Sequence, residues 1–333
     1  MATKGNRYPT LIDVARRLDA NGKVDKIVEV LAETNEVIQD AVFLECNDGT
    51  SHKTTVRSGY PDSTWRLLYQ GVQPGKSTTL QIQDSTAEQQ AYSQADKSLV
   101  DLSGDKNGFR FDESVATMEA LNQNFAEALF YGNNQLDPAK FTGLGPRFNV
   151  LSADKTKAGY NVIDGGGQGA TNTSIWIVGW GNRSVHCIYP KGSKAGIEHK
   201  DLGEQTHTNS DGSMYQVYRD NYLWRSGLSV RDWRFVVRIA NIDVALLDGA
   251  NEANLVKLMT KAYNRIRKWR NAAKWCIYAN QSVITALDLQ VQDRVKNQLT
   301  YQDYDGKTVL GFRGIPIREC EVILDTEARV VAG

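Results

Sequence analysis

Trp65-Arg-Leu-Leu-Tyr-Gln-Gly-Val72, then Pro74-Gly75, then Ser77-Thr-Thr-Leu-Gln-Ile-Gln83 is the stretch on which the architecture turns. Pro-Gly is a turn signal. Leu80 and Ile82 alternate with polar neighbours, as in a half-exposed strand. The stretch therefore reads as a long hairpin whose turn is Pro74-Gly75. Its surroundings cannot fill a core, because only 14 of the 53 residues at 46–98 are hydrophobic, against 41% for the whole chain. An isolated two-stranded ribbon is marginal in water. Two readings stay open: a mobile surface loop, or an arm that gains stability by lying on a neighbouring subunit.

On the N-terminal side, Leu11, Val14, Ala15 and Leu18 recur at helical spacing, with Thr10 placed to cap and Asn21-Gly22 to stop the helix. Val24, Ile27, Val28 and Leu31 make a second stripe. Two such helices form no core alone and must pack on something else. On the C-terminal side, Val115, Met118, Leu121, Phe125 and Leu129 predict a helix over 112–131, capped by Asp112 and ended by Gly132. Its polar side carries Asp112, Glu113, Glu119 and Glu127. Strands are expected at 174–178, 185–189, 214–218 and 233–241, helices at 252–271 and 281–289, and closing strands at 309–317 and 321–324. Strands and helices come in runs, so the class is α+β.

The 333 residues hold 39 Lys+Arg and 39 Asp+Glu, for a net charge of zero. That balance excludes a globally basic nucleic-acid binder or a polybasic membrane-surface protein. No stretch approaches 18 apolar residues, so no membrane span is expected. No apolar segment follows the cationic N-terminus, so a secretory signal is not expected and folding is expected in the cytoplasm. The cysteines at 46, 187, 276 and 320 are far apart and read as buried hydrophobes.

Motifs for chemistry fail on context. Gly75-Lys76-Ser77 lacks the glycine five residues upstream, which is Gln70, and lies in a hairpin. Gly165-Gly-Gly-Gln-Gly-Ala170 precedes a β-branched run where a dinucleotide site needs a helix. His52, His186, His199 and His207 have no metal spacing. No catalytic residue, metal site or cofactor is expected. One charge feature stands out: seven bases, among them Lys257, Lys261, Arg265 and Lys268, lie between Glu252 and Asp288 with no acid among them. Residues 253–333 sum to +5 and residues 1–252 to −5. Separated signs let copies of one chain dock on each other. A solvated helix face and a direct DNA contact are the other readings of these bases.

The order of parts resembles the major capsid protein of tailed double-stranded DNA phages, with the Hong Kong ninety-seven capsid fold. It looks closest to coat proteins of short-tailed phages of Gram-negative bacteria. The resemblance rests on Glu29-Val-Leu-Ala-Glu-Thr-Asn35, Trp65–Val72, Phe130-Tyr-Gly-Asn133, Phe141-Thr-Gly-Leu144 and Thr173-Ser-Ile-Trp-Ile-Val178. It continues through Ile188–Ile197, Gly227–Arg234 and Asn241-Ile-Asp243.

The resemblance implies an N-terminal arm at 1–44, an extended hairpin loop at 45–98 and a peripheral domain with a spine helix at 99–132. It further implies a mostly axial domain at 133–300 and returning peripheral strands at 301–333. It implies a structural, non-enzymatic protein that assembles as pentamers and hexamers into an icosahedral shell enclosing double-stranded DNA without sequence-specific binding. Implied partners are further copies of the chain, a portal protein and a decoration protein, with no membrane. Some relatives carry a long scaffolding segment before the arm; here a separate scaffold protein or none is expected. Neither Lys53 nor Lys76 bears a mark of covalent cross-linking. Candidate inter-subunit contacts are Trp65, Arg66, Tyr69, Lys76, Glu119, Glu127, Lys261, Arg265 and Lys268. The competing class is a soluble binding module or enzyme with the 46–98 hairpin as a lid.

Overall fold

The structure, a computed structural model, describes residues 36–102, 104–247, 254–292, 299–304 and 307–333. The two expected N-terminal helices lie outside these residues. The elements in chain order begin with α1 (Val37–Asp40), β1 (Phe43–Glu45), β2 (Ser51–Gly59), β3 (Thr78–Asp96), α2 (Lys97–Leu102) and α3 (Lys106–Tyr131). They continue with α4 (Leu144–Arg147), β4 (Val150–Leu151), β5 (Val162–Asp164), β6 (Asn172–Trp180), β7 (Val185–Tyr189), β8 (Ile197–Thr208), β9 (Met214–Val230) and β10 (Val236–Asp243). Last come α5 (Leu255–Ile266), β11 (Lys274–Ala279), α6 (Gln281–Gln292), β12 (Leu299–Tyr304), β13 (Lys307–Phe312), β14 (Ile315–Glu319) and β15 (Val331–Ala332). The described chain divides into two compact units.

The smaller unit holds Glu88–Ala126 and Gly196–Arg225. Its sheet runs β8-β9-β3, with β8 antiparallel to β9 from Ile197↔Trp224 to Thr208↔Met214. Ala95, Leu99, Val100 and Phe109 form its buried cluster, with Tyr218 packed against them. Phe125 stacks on Trp224 at 4.5 Å. The guanidinium of Arg110 donates to Asp220 at 2.7 Å and Asp201 at 2.6 Å. Helix α3 starts six residues earlier than the periodicity predicts. Asp105 Oδ1 accepts from the Gly108 amide at 2.9 Å, so Asp105, not Asp112, satisfies the first turn. The Gly108 and Arg110 positions had diluted the apolar signal there.

The larger unit holds residues 36–87, Glu127–Ala195 and the described part of Ser226–Gly333. Its centre is β6, whose nine residues are all buried. It pairs antiparallel with β10 on one side and β11 on the other. A strand covered on both faces reads as a continuous apolar run, and Ser174-Ile-Trp-Ile-Val178 is one. Trp176 packs on Phe130 at 6.0 Å and edge-on to Phe148 at 6.4 Å. Trp180 Nε1–H donates to the Tyr278 hydroxyl at 2.8 Å. Parallel β14 extends the sheet from β11, and β13 and β12 follow as antiparallel neighbours. Helix α5 buries Leu255, Val256, Leu258, Met259, Ala262 and Ile266. Its start is capped by Asn254, whose side chain accepts from the Lys257 amide at 3.0 Å. All four cysteines are buried.

Three further expectations are corrected. The α5 helix ends at Ile266 and gives way to a 3-10 turn at Arg267–Ala272. Residues 321–324 form a turn rather than a strand, closed by the Ile323 amide on the Cys320 carbonyl at 3.2 Å. Trp65–Val72 is no strand either. The hairpin ladder joins Ser51–Gly59 to Thr78–Ser85, and residues 60–77 between them form no ladder. Pro61 cannot donate to a ladder, and these side chains have nothing to pack on.

The chain's return is fixed by charge. Arg238, 5% exposed, stands in the apolar β10 and donates from Nη2 to Glu327 Oε2 at 2.8 Å. Glu327, 6% exposed, also accepts from Tyr131 and Ser174. Burial, followed by the charge of Glu327, pushes the Tyr131 phenol well above its ordinary pKa. Removing one partner of a buried pair strands the other charge, at a cost of about 3–5 kcal/mol. Glu327→Ala is therefore expected to lower unfolding free energy by about that amount in chemical denaturation. Exposed Glu321→Ala should change it by less than about 0.5 kcal/mol.

Candidate inter-subunit surface: the arm, its root and the basic helix face

Residues 60–76 are exposed throughout. Trp65 and Tyr69 are fully exposed, Leu68 is 82% exposed and Leu67 70% exposed. Four large apolar side chains uncovered together are unusual on a protein surface. Each such side chain would contribute about 1.5–3 kcal/mol on full burial. Tyr69 also has φ +66°, a left-handed conformation that bulky residues rarely adopt. Arg66 and Lys76 are exposed beside these residues, so the tip presents aromatic and aliphatic faces with cations among them.

The root of the arm is built differently. Asp84, on β3, is 5% exposed. Its Oδ1 accepts from Arg147 Nη2 at 2.7 Å, and its Oδ2 from the Ser229 hydroxyl at 2.8 Å. Arg147 also donates to the carbonyls of Gly143, Thr142 and Leu228. These bonds tie β3 to α4 and to the end of β9. Close approach is needed here: a Cβ on Gly227 would stand 2.7 Å from the Ser85 carbonyl oxygen and 3.0 Å from Thr86 Cα. Nearer the arm's outer face, Lys53 and Asp48 form an exposed ion pair.

A second anchor holds the segment just after residue 35. Asp40, 2% exposed, pairs with Lys274 at 2.8 Å and Arg318 at 3.3 Å, and accepts from the Tyr278 hydroxyl at 3.2 Å. Glu36 pairs with Arg318 at 2.7 Å. Cys276 lies beside this cluster, and burial, then the Asp40 charge, pushes its thiol up to about 12. Such a thiol is protonated and inert at neutral pH.

The nine sequence candidates fall into three groups. Trp65, Arg66, Tyr69 and Lys76 share the exposed tip. Lys261 and Lys268 are exposed on α5 and the 3-10 turn after it, whereas Arg265 turns inward. The Arg265 guanidinium donates to the Tyr160 and Val162 carbonyls and lies 4.4 Å from the Tyr160 ring centroid. Burial lowers its pKa, with Tyr160 opposing. Glu119 and Glu127 are engaged within the chain, by Gln123 at 3.3 Å and by Lys140 at 2.9 Å. The root residues Asp84, Arg147 and Ser229 were not among the candidates. Among the described residues no group of three or more His, Cys, Asp or Glu could hold a metal, and no helix is long and apolar enough to cross a membrane.

The chain is thus a mixed sheet-and-helix fold that carries an exposed apolar hairpin tip on a clamped root. Its fold is shared with the bacteriophage JBD30 capsid, at 10% identity and TM-score 0.52, over 88% of this chain and 93% of that one. A chain of the near-atomic structure of bacteriophage Epsilon15 is 34% identical, with TM-score 0.78 and 100% of both chains covered. The model of the major capsid protein GP7 family matches residues 19–331, and this chain belongs to that family. No curated protein matches it by sequence. The protein is thus a structural, non-enzymatic component of the virion shell and associates with copies of itself.

Asp84→Ala leaves the half-buried Arg147 guanidinium without its carboxylate. It is expected to cost about 3–5 kcal/mol and to speed hydrogen exchange at the amides of Ser51–Gly59. Lys53→Ala, which breaks only the exposed pair, should leave stability essentially unchanged.

Proposed function

We propose that the hairpin tip lies across a neighbouring subunit, and that this overlap holds pentamers and hexamers together in an icosahedral shell around packaged double-stranded DNA. The observation that carries this reading is the unbroken exposure of residues 60–76 with Trp65, Leu67, Leu68 and Tyr69 among them. Arms give large buried area while each core stays rigid, and permanent assemblies bury more than about 2,000 Å² per interface. Cyclic rings close by head-to-tail contacts, the same surface meeting a different one on each neighbour.

In this reading 1–44 is the N-terminal arm, 45–98 the extended loop and 99–132 the peripheral domain with α3 as spine. Residues 133–300 are mostly axial, with 196–225 grouping with α3 instead, and 301–333 return to the periphery. Lys261 and Lys268 supply a docking face for acidic surfaces of other copies, with Arg265 bracing the helix from within. Trp65, Arg66, Tyr69 and Lys76 form the contact of the arm, and Glu119 and Glu127 lie on the spine side of subunit contacts. A portal protein, a decoration protein and a separate scaffold protein complete the set of partners, as the family resemblance implies.

Replacing the exposed residues 62–75 by a short Gly-Ser linker, which spares the ladder and Asp84, is expected to leave a soluble subunit and abolish closed shells. Electron microscopy of the purified variant decides this, and closed shells would refute the overlapping arm. Lys261→Glu with Lys268→Glu is expected to reduce particle yield several-fold while circular dichroism stays unchanged. Normal yield would remove the charge-docking role.

A further inference from the structure

Two histidines meet at the root of the arm, and the shell reading makes no use of them. His52 lies on β2 and His186 on β7. Their rings are edge to face, with centroids 5.4 Å apart and planes at 86°. His186 is completely buried. Neither of its ring nitrogens has a well-aligned hydrogen-bond partner, nor does Nδ1 of His52. The Gly181 backbone offers His186 one contact, but this buried pair stays under-satisfied where buried polar groups are normally met.

The neighbours are all identifiable. His52 lies opposite Asp84 in the β2–β3 ladder, and His186 lies opposite Ser229 in the β7–β9 ladder. Asp84 is already held by Arg147 from α4 and by Ser229 from β9. Arg231, one residue past β9, opposes a charge on either ring, while Asp84 favours it. One committed carboxylate therefore faces two histidines and two arginines. With both rings neutral the cations exceed the anion by one charge. With both protonated, cations outnumber the single anion four to one around the fully buried His186.

We propose that His52 and His186 form an acid-sensitive latch that keeps the arm root seated on the larger unit's sheet when neutral and loosens it when protonated. The inference concerns the root alone and does not require the tip to lie on another subunit. Burial, then His52 and Arg231, depress His186 to about 4, and burial, then Arg231, lower His52. The seated state thus binds these protons less readily than an opened state with ordinary imidazoles near 6.5. Protons favour opening as pH falls below about 6.5, and the effect grows until about pH 4. At pH 7 the latch is closed.

The test is hydrogen exchange by mass spectrometry on the full-length assembled protein between pH 7.5 and 4.5, corrected for intrinsic exchange rates. Protection of Ser51–Gly59 and Thr78–Ser85 is expected to fall at least tenfold relative to β6. The His52→Gln, His186→Phe double variant should show no such fall. Should His186→Phe fail to fold, His52→Gln alone is expected to move the loosening to lower pH. Flat wild-type protection overturns the latch. So does a fall that persists unchanged in the histidine variants, which would assign the acid response to Asp84 and Arg147 instead.

Discussion

A buried carboxylate held by a buried or half-buried arginine recurs wherever a segment joins the larger unit. Asp84 with Arg147 fixes the hairpin arm, Asp40 with Arg318 fixes the segment after residue 35, and Glu327 with Arg238 fixes the C-terminal return. Such pairs add little net stability over a well-packed apolar core. What they add is direction. An apolar contact tolerates sliding, whereas a guanidinium and a carboxylate with further hydrogen bonds accept one geometry. The three joints are therefore fixed in orientation as well as in place.

The smaller unit repeats the device in a more exposed setting. Arg110 bridges Asp220 and Asp201, drawing α3 onto the β8–β9 sheet. Beneath it the contacts are apolar, from Phe109 and Tyr218 to the Phe125–Trp224 stack. Charge fixes the orientation of the helix, and aromatic burial supplies most of the cohesion.

The sequence disclosed what periodicity encodes. The buried run of β6, the stripe of α3 and the apolar poverty of 46–98 all follow from local pattern. The strandless tip was missed because Leu67, Leu68 and Tyr69 look like strand residues until one asks what they would pair with. The root was invisible for a different reason. Asp84 stands in a polar run, and Arg147 and Ser229 come from distant segments, so nothing local singles them out. Arg238 was legible in principle: a lone cation in Val236-Val-Arg-Ile239 must find an anion. Arg265 shows the converse, since a base in a run of bases gave no sign that it alone turns inward.

The laddered part of the arm, Ser51 to Gly59, has mechanical consequences. At about 3.4 Å per residue it is a lever of roughly 27 Å. Rotation of about 5° at Asp84 therefore carries the far end sideways by roughly 2.4 Å, about half the spacing between neighbouring strands. A small change at the root is thus magnified at the far end of the ladder. The tight approach of Gly227 to Ser85 and Thr86 and the bonds of Asp84 therefore set how precisely the arm is aimed.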